Sequence, residues 1–300
     1  KYASIIILSA NAGGSWSPIG DVTTLLLWNG GNITAMHQIT HLFLPALINL
    51  LVVLGISHFW LFKKGTVLRQ SRNLSADELY LEKIPQRSRV IIFWIGILSL
   101  SLVPLFQSIT HLPAFMCVLL GLVLLWIYTD LSYGKIRDIV DSDKLRIPNL
   151  SRSVDIPTIF FFFGILMSVA AINVSGQLLQ FSSFLTSWVS EPYLLSIIIG
   201  AVSSLIDNVA LVSATMAMFP LPDSMTNLTP YMQYFMADGG FWTLLAYTGV
   251  TGGSILIIGS ATGVAVMGLE KISFGYYLKR FTPLAILGYV AGILVFLLLS

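Results

Sequence analysis

Long apolar stretches constrain the fold of this chain more than any other feature of its sequence. A helix needs about 20 apolar residues to cross the hydrocarbon core of a bilayer. Stretches of that order lie at residues 41–62, 90–107, 112–129, 156–173 and 281–299. Only 10% of the residues are charged, whereas an ordinary soluble domain carries roughly 25%. The sequence therefore predicts an all-α polytopic membrane protein.

Three further apolar stretches are interrupted by glycine, serine or acidic residues. Residues 2–28 contain AGGSWSPIG, residues 192–219 contain SSLIDN, and residues 240–269 contain TGGS and GSATG. A helix break at membrane depth is tolerated only where it is buried in protein or lines a cavity, because hydrocarbon offers the backbone no hydrogen-bond partners. These interruptions predict discontinuous helices, with glycines that let the chain unwind and with Pro18 at the start of a second half-helix.

The sixteen basic residues predict the topology, because all of them fall on one side if the segment 176–219 is a re-entrant hairpin. That side holds the loops 63–89 and 130–155, the turn before residue 281, and Lys1. The segments assigned to the other side carry Glu191, Asp223 and Asp238. By the positive-inside rule, the basic side is cytoplasmic. Basic residues sorted by membrane side form no stripe for nucleic acid, so we expect no nucleic-acid partner.

Two of the interrupted stretches share one frame. GGSWSPIGDVT at 13–23 and GGSILIIGSAT at 252–262 match as GGS-x-x-x-I-G-x-x-T at a fixed offset. Under the predicted topology the two copies cross the membrane in opposite directions, as in inverted-repeat transporters. The predicted helix-break residues are Gly13, Gly14, Pro18, Gly20, Gly252, Gly253 and Gly259.

The repeat also predicts the organisation of the chain. Residues 1–62 would be the end of a first repeat, and residues 90–300 a second, inverted repeat. The second repeat would contain the re-entrant hairpin 176–219, the broken helix 240–269 and the last span 281–299. A first hairpin equivalent to SSLIDN would lie upstream of Lys1, so the chain is expected to begin inside the first repeat.

Asp21 and Asp207 are the acidic residues deepest within apolar sequence. Carboxylates within membrane spans usually face the protein interior and mark paths for ions or protons. Hydroxyl and amide side chains flank both residues, and such oxygen donors suit a hard cation. Burial disfavours an ionised carboxylate and a bound cation favours it, so proton and cation would compete for one site. The alternative is that each aspartate only caps the helix that follows it.

Other candidate chemistry is weaker. His37 and His41, in HQITH, have the spacing of two metal ligands on a helix, but Gln38 stands where a zinc hydrolase needs a glutamate. A role of these histidines in pH sensing on the outer side stays open. The single Cys117 excludes an internal disulfide. A membrane-embedded hydrolase would need a histidine partner within the broken-helix motifs, and all four histidines lie outside them.

Three motifs resemble those of the NhaD-type sodium/proton antiporters, in the wider ion-transporter superfamily. They are NAGGSWSPIGDVTT at 11–24, SSLIDNVALVSATM at 203–216 and GGSILIIGSATGVAVMGLEKI at 252–272. The resemblance covers essentially the entire chain, as the carboxyl-terminal two-thirds or so of such a protein. It implies an exchanger, not an enzyme, that expels sodium or lithium for protons without a cofactor. It further implies a bacterial inner membrane, with the chloroplast envelope as the alternative, and leaves a homodimer open.

The resemblance also implies the site residues. Asn11, Asp21, Thr23 and Thr24 would serve the cation site from the first broken helix, and Ser203, Asp207 and Asn208 from the hairpin. The second broken helix would add Ser254, Ser260 and Thr262. Asp21 and Asp207 would be the sodium-binding carboxylates. Relatives of the same fold include sodium-coupled symporters of dicarboxylate or citrate and arsenite permeases, but Asp207 would repel an anionic substrate. A channel fits matched broken helices less well than alternating access does.

Overall fold

The structure is a computed structural model that describes residues 2–61, 85–110, 112–133, 154–222 and 229–300. All regular secondary structure within these ranges is helical. The helices are α1 (Tyr2–Ser15), α2 (Val22–Asn29), α3 (Ala35–Leu61), α4 (Gln86–Ser101), α5 (Val103–Thr110), α6 (Ala114–Tyr133), α7 (Ile156–Val174), α8 (Gln177–Trp188), α9 (Pro192–Val202), α10 (Asn208–Met218), α11 (Pro230–Gln233), α12 (Gly240–Gly252), α13 (Ala261–Leu269), α14 (Phe274–Arg280) and α15 (Thr282–Leu299). Lys1, Asp223 and most of the predicted loops 63–89 and 130–155 lie outside the described residues.

The apolar helices support a multi-pass membrane protein. Among the described residues, four helices are long and apolar enough to cross a bilayer: α3, α6, α7 and α15. The number rises to six if each of two bent pairs is one span. The predicted span 90–107 is one of these pairs, because α4 and α5 meet at 46°. Pro104, in the first turn of α5, has no amide hydrogen to continue the helix from α4, which explains the bend.

The described residues of the chain form two compact units, which are identified by the ranges within which they lie. Residues 65–159 form one of them, in which Gly121 of α6 faces Ser99 of α4 and lets these helices approach closely. Residues 1–64 and 160–300 form the other, which holds both interrupted motifs.

Each interrupted motif is a helix break. The first break, residues 16–21, separates α1 from α2, and the second, residues 253–260, separates α12 from α13. The same turn occurs in both, since the Gly20 amide donates to the Ser17 carbonyl at 3.0 Å and the Gly259 amide to the Leu256 carbonyl at 3.1 Å. The discontinuous helices predicted from the sequence are therefore present.

The limits of the breaks differ from the prediction. Gly13 and Gly14 lie within α1, and Gly252 is the last residue of α12. The second half-helix begins at Val22 and not at Pro18, which lies inside the break. The reason is that Asp21 supplies a complete N-cap for α2, and this signal outweighs the preference of proline for a first turn.

The chain folds back on itself at each break through a pair of glycines. A Cβ atom added to Gly14 would lie 2.9 Å from the Gly20 carbonyl oxygen, and one added to Gly253 would lie 3.0 Å from the Gly259 carbonyl oxygen. Any side chain at these positions would push the two arms of the break apart. The shared frame of the two motifs therefore encodes a shared backbone geometry.

Gly13 and Gly252, the first residues of the two copies, are 239 residues apart in sequence. Residues separated by this offset occupy equivalent places well outside the shared frame. Phe281, at this offset from Leu42, packs in a buried cluster with Ile5, Ile7 and Leu8. Leu42 packs in a second buried cluster with their counterparts Leu244, Ala246 and Tyr247. Asn49 of α3 directly faces Gly288, its own counterpart in α15. Such reciprocal contacts are those of two copies related by a two-fold axis.

The segment 176–219 is more complex than one hairpin. It contains three helices, with a turn of 118° between α8 and α9. SSLID lies between α9 and α10, and the asparagine that follows it, Asn208, is the first residue of α10. Two hydrogen bonds join α9 and the residue that follows it to α12: Thr248 Oγ1 donates to the Ser196 carbonyl at 3.1 Å, and Ser203 Oγ to the Gly249 carbonyl at 2.9 Å. The hairpin is thereby held against the first half of the second broken helix.

Asp238 holds Thr34, the residue that precedes and caps α3, from a distant part of the chain. Its carboxylate accepts hydrogen bonds from the Thr34 amide at 2.6 Å and the Thr34 hydroxyl at 2.9 Å. We expect Asp238→Ala to destabilise the protein by about 1 kcal/mol through loss of this cap, which corresponds to a fall of roughly 2–4 °C in the unfolding midpoint. Thermal unfolding in detergent measures the effect. The exposed Glu270 offers the control Glu270→Ala, and equal midpoints for the two variants would contradict the capping role.

Candidate cation site

Asp21 lies at the end of the first break, where it is the N-cap of α2. Its Oδ1 atom accepts a hydrogen bond from the Thr23 amide at 2.8 Å, and its own amide donates to Thr24 Oγ1 at 3.2 Å. The capping role considered from the sequence is therefore observed. Capping uses only part of the acceptor capacity of this side chain, because an ionised carboxylate has about four lone-pair sites on its two oxygens.

The hairpin reaches Asp21 through the residue next to Asp207. Asn208 Nδ2 donates to Asp21 Oδ1 at 3.5 Å, a contact between residues 187 positions apart. Asp207 is the N-cap of α10, with its Oδ2 atom accepting from the Ala210 amide at 3.1 Å. Since Asp207 precedes Asn208 directly in the chain, the contact of Asn208 with Asp21 brings the second aspartate into the same region. The structure thus brings together the two aspartates that the sequence singled out.

Thr23 supplies a buried hydroxyl beside the Asp21 carboxylate. The residue is 0% exposed, and its own amide donates to Asp21 Oδ1 at 2.8 Å, which places the residue next to the carboxylate. Within the described part of the chain, Thr23 Oγ1 has no hydrogen-bond partner. A buried polar atom without a partner costs about 1–3 kcal/mol, so this oxygen is suited to a ligand that brings its own charge.

The Thr24 hydroxyl makes its contacts within the break. Its hydroxyl lies 2.9 Å from the Ser17 carbonyl oxygen and 2.9 Å from the Asp21 carbonyl oxygen. These contacts tie the backbone of the break together. Thr24 therefore shapes the site, and its hydroxyl is already engaged by the protein.

The two breaks are joined directly by Asn11 of α1. Its Nδ2 atom donates to Ser254 Oγ in the second break at 2.6 Å, and both residues are buried. Ser260 is the counterpart of Asp21 in the repeat and likewise caps the helix after its break, accepting from the Gly263 amide at 3.1 Å. Only the first break therefore carries a charge at this capping position.

Two further candidates take other positions in the fold. Ser203 Oγ is bonded to the Gly200 and Gly249 carbonyls and holds the hairpin against α12. Thr262 is exposed on α13. The structure thus places Asp21, Thr23, Asn208 and Asp207 in one cluster and Asn11 with Ser254 in a second.

Sequence reasoning overlooked two residues that contact the breaks. Gln38 of α3 donates to the Ser15 carbonyl at 3.0 Å, and Tyr277 of α14 donates to the Ser254 carbonyl at 2.8 Å. The repeat offset is the sequence signal that could have indicated them as a pair, because Tyr277 is the counterpart of Gln38 at this offset. The two residue types differ, so no identity in the sequence marked the match.

The histidine pair lies outside this arrangement. The rings of His37 and His41 stack with their centroids 3.8 Å apart, and His37 Nε2 lies 3.0 Å from Thr243 Oγ1. Nowhere in the described ranges do three or more histidine, cysteine, aspartate or glutamate side chains form a group that could hold a metal ion. The ligand atoms of the Asp21 cluster are instead oxygens, which are the donors that hard cations prefer.

Comparison with known proteins gives matches along nearly the entire chain. Residues 1–237 match the family model described as citrate transporter. Sodium/proton antiporter 1 of Arabidopsis thaliana is 38% identical over 98% of this chain and 47% of its own length, and sodium/proton antiporter 2 of that plant is 37% identical over 98% and 66%. The Na(+)/H(+) antiporter NhaD of Vibrio cholerae is 31% identical over 100% of this chain and 62% of its own length. The chain thus spans about half to two-thirds of these relatives.

Proposed function

This chain belongs to the citrate transporter family, and from that premise we propose that it is a secondary active antiporter that exports sodium, or lithium, in exchange for protons. The observation that supports the proposal best is the contact between Asp21 and Asn208. This contact joins the helix break that carries Asp21 to the hairpin, next to the carboxylate of Asp207. Two carboxylates with polar neighbours form a site suited to a cation. The antiporters named among the relatives point to the same substrates.

In the proposed mechanism, sodium and proton compete for the Asp21 carboxylate. Sodium would be ligated by Asp21 and by the Thr23 hydroxyl oxygen, with Asp207 adding negative charge nearby. A protonated Asp21 would lose its attraction for sodium, so each ion leaves as the other binds. Rearrangement of the broken helices around the site would then expose it to one side of the membrane at a time.

An anion symporter of the same fold is the second candidate, because the matching family model is described by citrate. The Asp21 cluster weighs against it. Two carboxylates in segments that the Asn208–Asp21 contact joins would repel a dicarboxylate, citrate or another anion. We therefore favour a cation as the substrate, and we propose transport and not catalysis as the activity.

The protein is a multi-pass membrane protein by its apolar helices and its relatives. The relatives named above come from a plant and from a bacterium. We propose a bacterial inner membrane as the location and keep the chloroplast envelope as the alternative. The bilayer and the transported ions are then the partners of the chain.

Transport by the full-length protein tests the proposal in everted membrane vesicles from cells that lack other antiporters. A fluorescent probe reports the pH gradient while sodium, lithium, potassium or citrate is added. We expect sodium and lithium to dissipate the gradient and citrate to leave it unchanged. Vesicles without the protein provide the control. Labelled citrate or arsenite that moves while no cation has an effect would instead identify an anion transporter.

A further inference from the structure

Each helix break frees a backbone carbonyl at an equivalent position. In a continuous helix the Ser15 carbonyl would accept from the amide four residues later, and the same holds for Ser254. The helical path ends at both places, so these carbonyls need other donors. An unsatisfied backbone group at membrane depth costs several kcal/mol.

The same type of bond satisfies both carbonyls. Gln38 Nε2 donates to the Ser15 carbonyl and the Tyr277 hydroxyl donates to the Ser254 carbonyl, and donor and acceptor are 23 residues apart in each case. Gln38 is 0% exposed and Tyr277 is 1% exposed, so water does not provide the donor in either copy. The hydrogen bond to the freed carbonyl is therefore present in both copies, although the donor residue differs.

The first of these bonds lies next to the Asp21 cluster. A Cβ atom on Gly14, the neighbour of Ser15, would lie 3.5 Å from Asp21 Cβ. The Ser15 carbonyl is thus one residue from the point where the end of α1 packs against the charged cap. At the second break the corresponding cap is the neutral Ser260.

Gln38 has a second polar atom that Tyr277 lacks. Its Oε1 atom is buried and has no hydrogen-bond partner among the residues that the structure describes. A tyrosine could satisfy the carbonyl as well, and it would leave no such oxygen behind. The glutamine therefore adds an unsatisfied acceptor to the break that carries the carboxylate.

We propose that Gln38 is a positioning residue for the cation site: it holds the Ser15 carbonyl and the end of α1 against Asp21, as Tyr277 holds the Ser254 carbonyl at the second break. This inference rests on the proposed function. It implies that equivalent bonds in the two repeats have unequal effects, because only the first break carries the charged cap. Loss of the Gln38 bond should change sodium affinity, and loss of the Tyr277 bond should change stability alone.

The test compares Gln38→Met with Tyr277→Phe in the vesicle assay, using the full-length protein and a range of sodium concentrations. Both substitutions remove the donor and keep most of the side-chain volume. Loss of a hydrogen bond corresponds to about a five- to tenfold change in affinity. We expect Gln38→Met to raise the KM for sodium by that factor with little change in maximal rate. We expect Tyr277→Phe to leave the KM within about twofold of the wild-type value.

A third variant separates positioning from simple loss of packing. Gln38→His, assayed at alkaline pH where the ring is neutral, keeps an N–H donor and should bring the KM closer to the wild-type value than Gln38→Met does. Thermal unfolding of the purified variants checks that each is folded. An unchanged KM for Gln38→Met, or a rise no greater than that for Tyr277→Phe, would overturn the inference.

The wild-type protein in the same experiment tests the proposed function separately. If wild-type vesicles respond to sodium and the Gln38 variants match them, the inference fails and the proposed function stands. If wild-type vesicles respond to no cation, the proposed function fails. The shift of the unfolding midpoint by sodium then decides the inference: a shift that Gln38→Met weakens supports it, and no shift, or one that this variant keeps, overturns it.

Discussion

Replacing Asp21 by asparagine is expected to abolish sodium-dependent dissipation of the pH gradient while the protein still folds. Asparagine is as good an N-cap as aspartate, and its side-chain oxygen can accept the hydrogen bond that Asp21 accepts from the Thr23 amide at 2.8 Å. The substitution therefore preserves α2 and removes only the charge and the protonation site. Vesicle transport at saturating sodium, with protein amount determined on the same membranes, measures the effect.

Asp155 provides a matched control for this result. It also accepts hydrogen bonds at a helix start, from the Thr158 amide at 3.4 Å and the Thr158 hydroxyl at 2.5 Å, and it lies in neither break. Asp155→Asn should transport sodium at the wild-type rate. If Asp21→Asn also transported at that rate, the carboxylate would be only a helix cap and the proposed mechanism would be wrong.

The second large effect is expected at Gly252. A Cβ atom there would overlap the Gly200 carbonyl oxygen and would lie 2.8 Å from Ser203 Oγ. Overpacking usually costs about 1–3 kcal/mol, and here the obstacle is a backbone atom that cannot rotate away. We expect Gly252→Ala to lower the unfolding midpoint by about 5–10 °C and to reduce the yield of folded protein, as measured by thermal unfolding and size-exclusion chromatography in detergent.

Gly55→Ala is the control for that substitution. Gly55 lies within α3, and an added Cβ atom would meet nothing within 4 Å. Because alanine favours helix over glycine by about 1 kcal/mol, Gly55→Ala should leave the midpoint unchanged or raise it. Similar midpoints for the two alanine variants would show that α9 and α12 do not approach each other as closely as described.

The sequence predicted the membrane helices and the two breaks well because their signals are local. Apolar length alone located α7, for which the predicted limits were 156–173 and the observed limits are Ile156–Val174. The glycine frame located both breaks to within a few residues. Pro18 was interpreted wrongly as a helix start: the sequence offered both Pro18 and a capping Asp21 as local signals, and only the structure shows that α2 follows the cap at Asp21.

The contacts between distant segments could not be predicted in the same way. The contact of Asn208 with Asp21 links α10 to the first break, and no periodicity in either segment specifies the other. Gln38 and Tyr277 occupy equivalent places in the two copies, but their side chains have only a hydrogen-bond donor in common. A comparison of residue types therefore cannot match them. Their common feature becomes visible only when the carbonyl that each one contacts is known.

The contact between Asn49 and Gly288 has a consequence for how such a chain evolves. Where two copies of one motif pack across a two-fold axis, a position on that axis meets its own counterpart, as Gly288 meets Asn49. Two asparagines would compete for one volume there, and two glycines would leave a void in a closely packed interior. Duplicated halves joined in one chain are free to fill that space unequally, whereas a homodimer of identical halves is not.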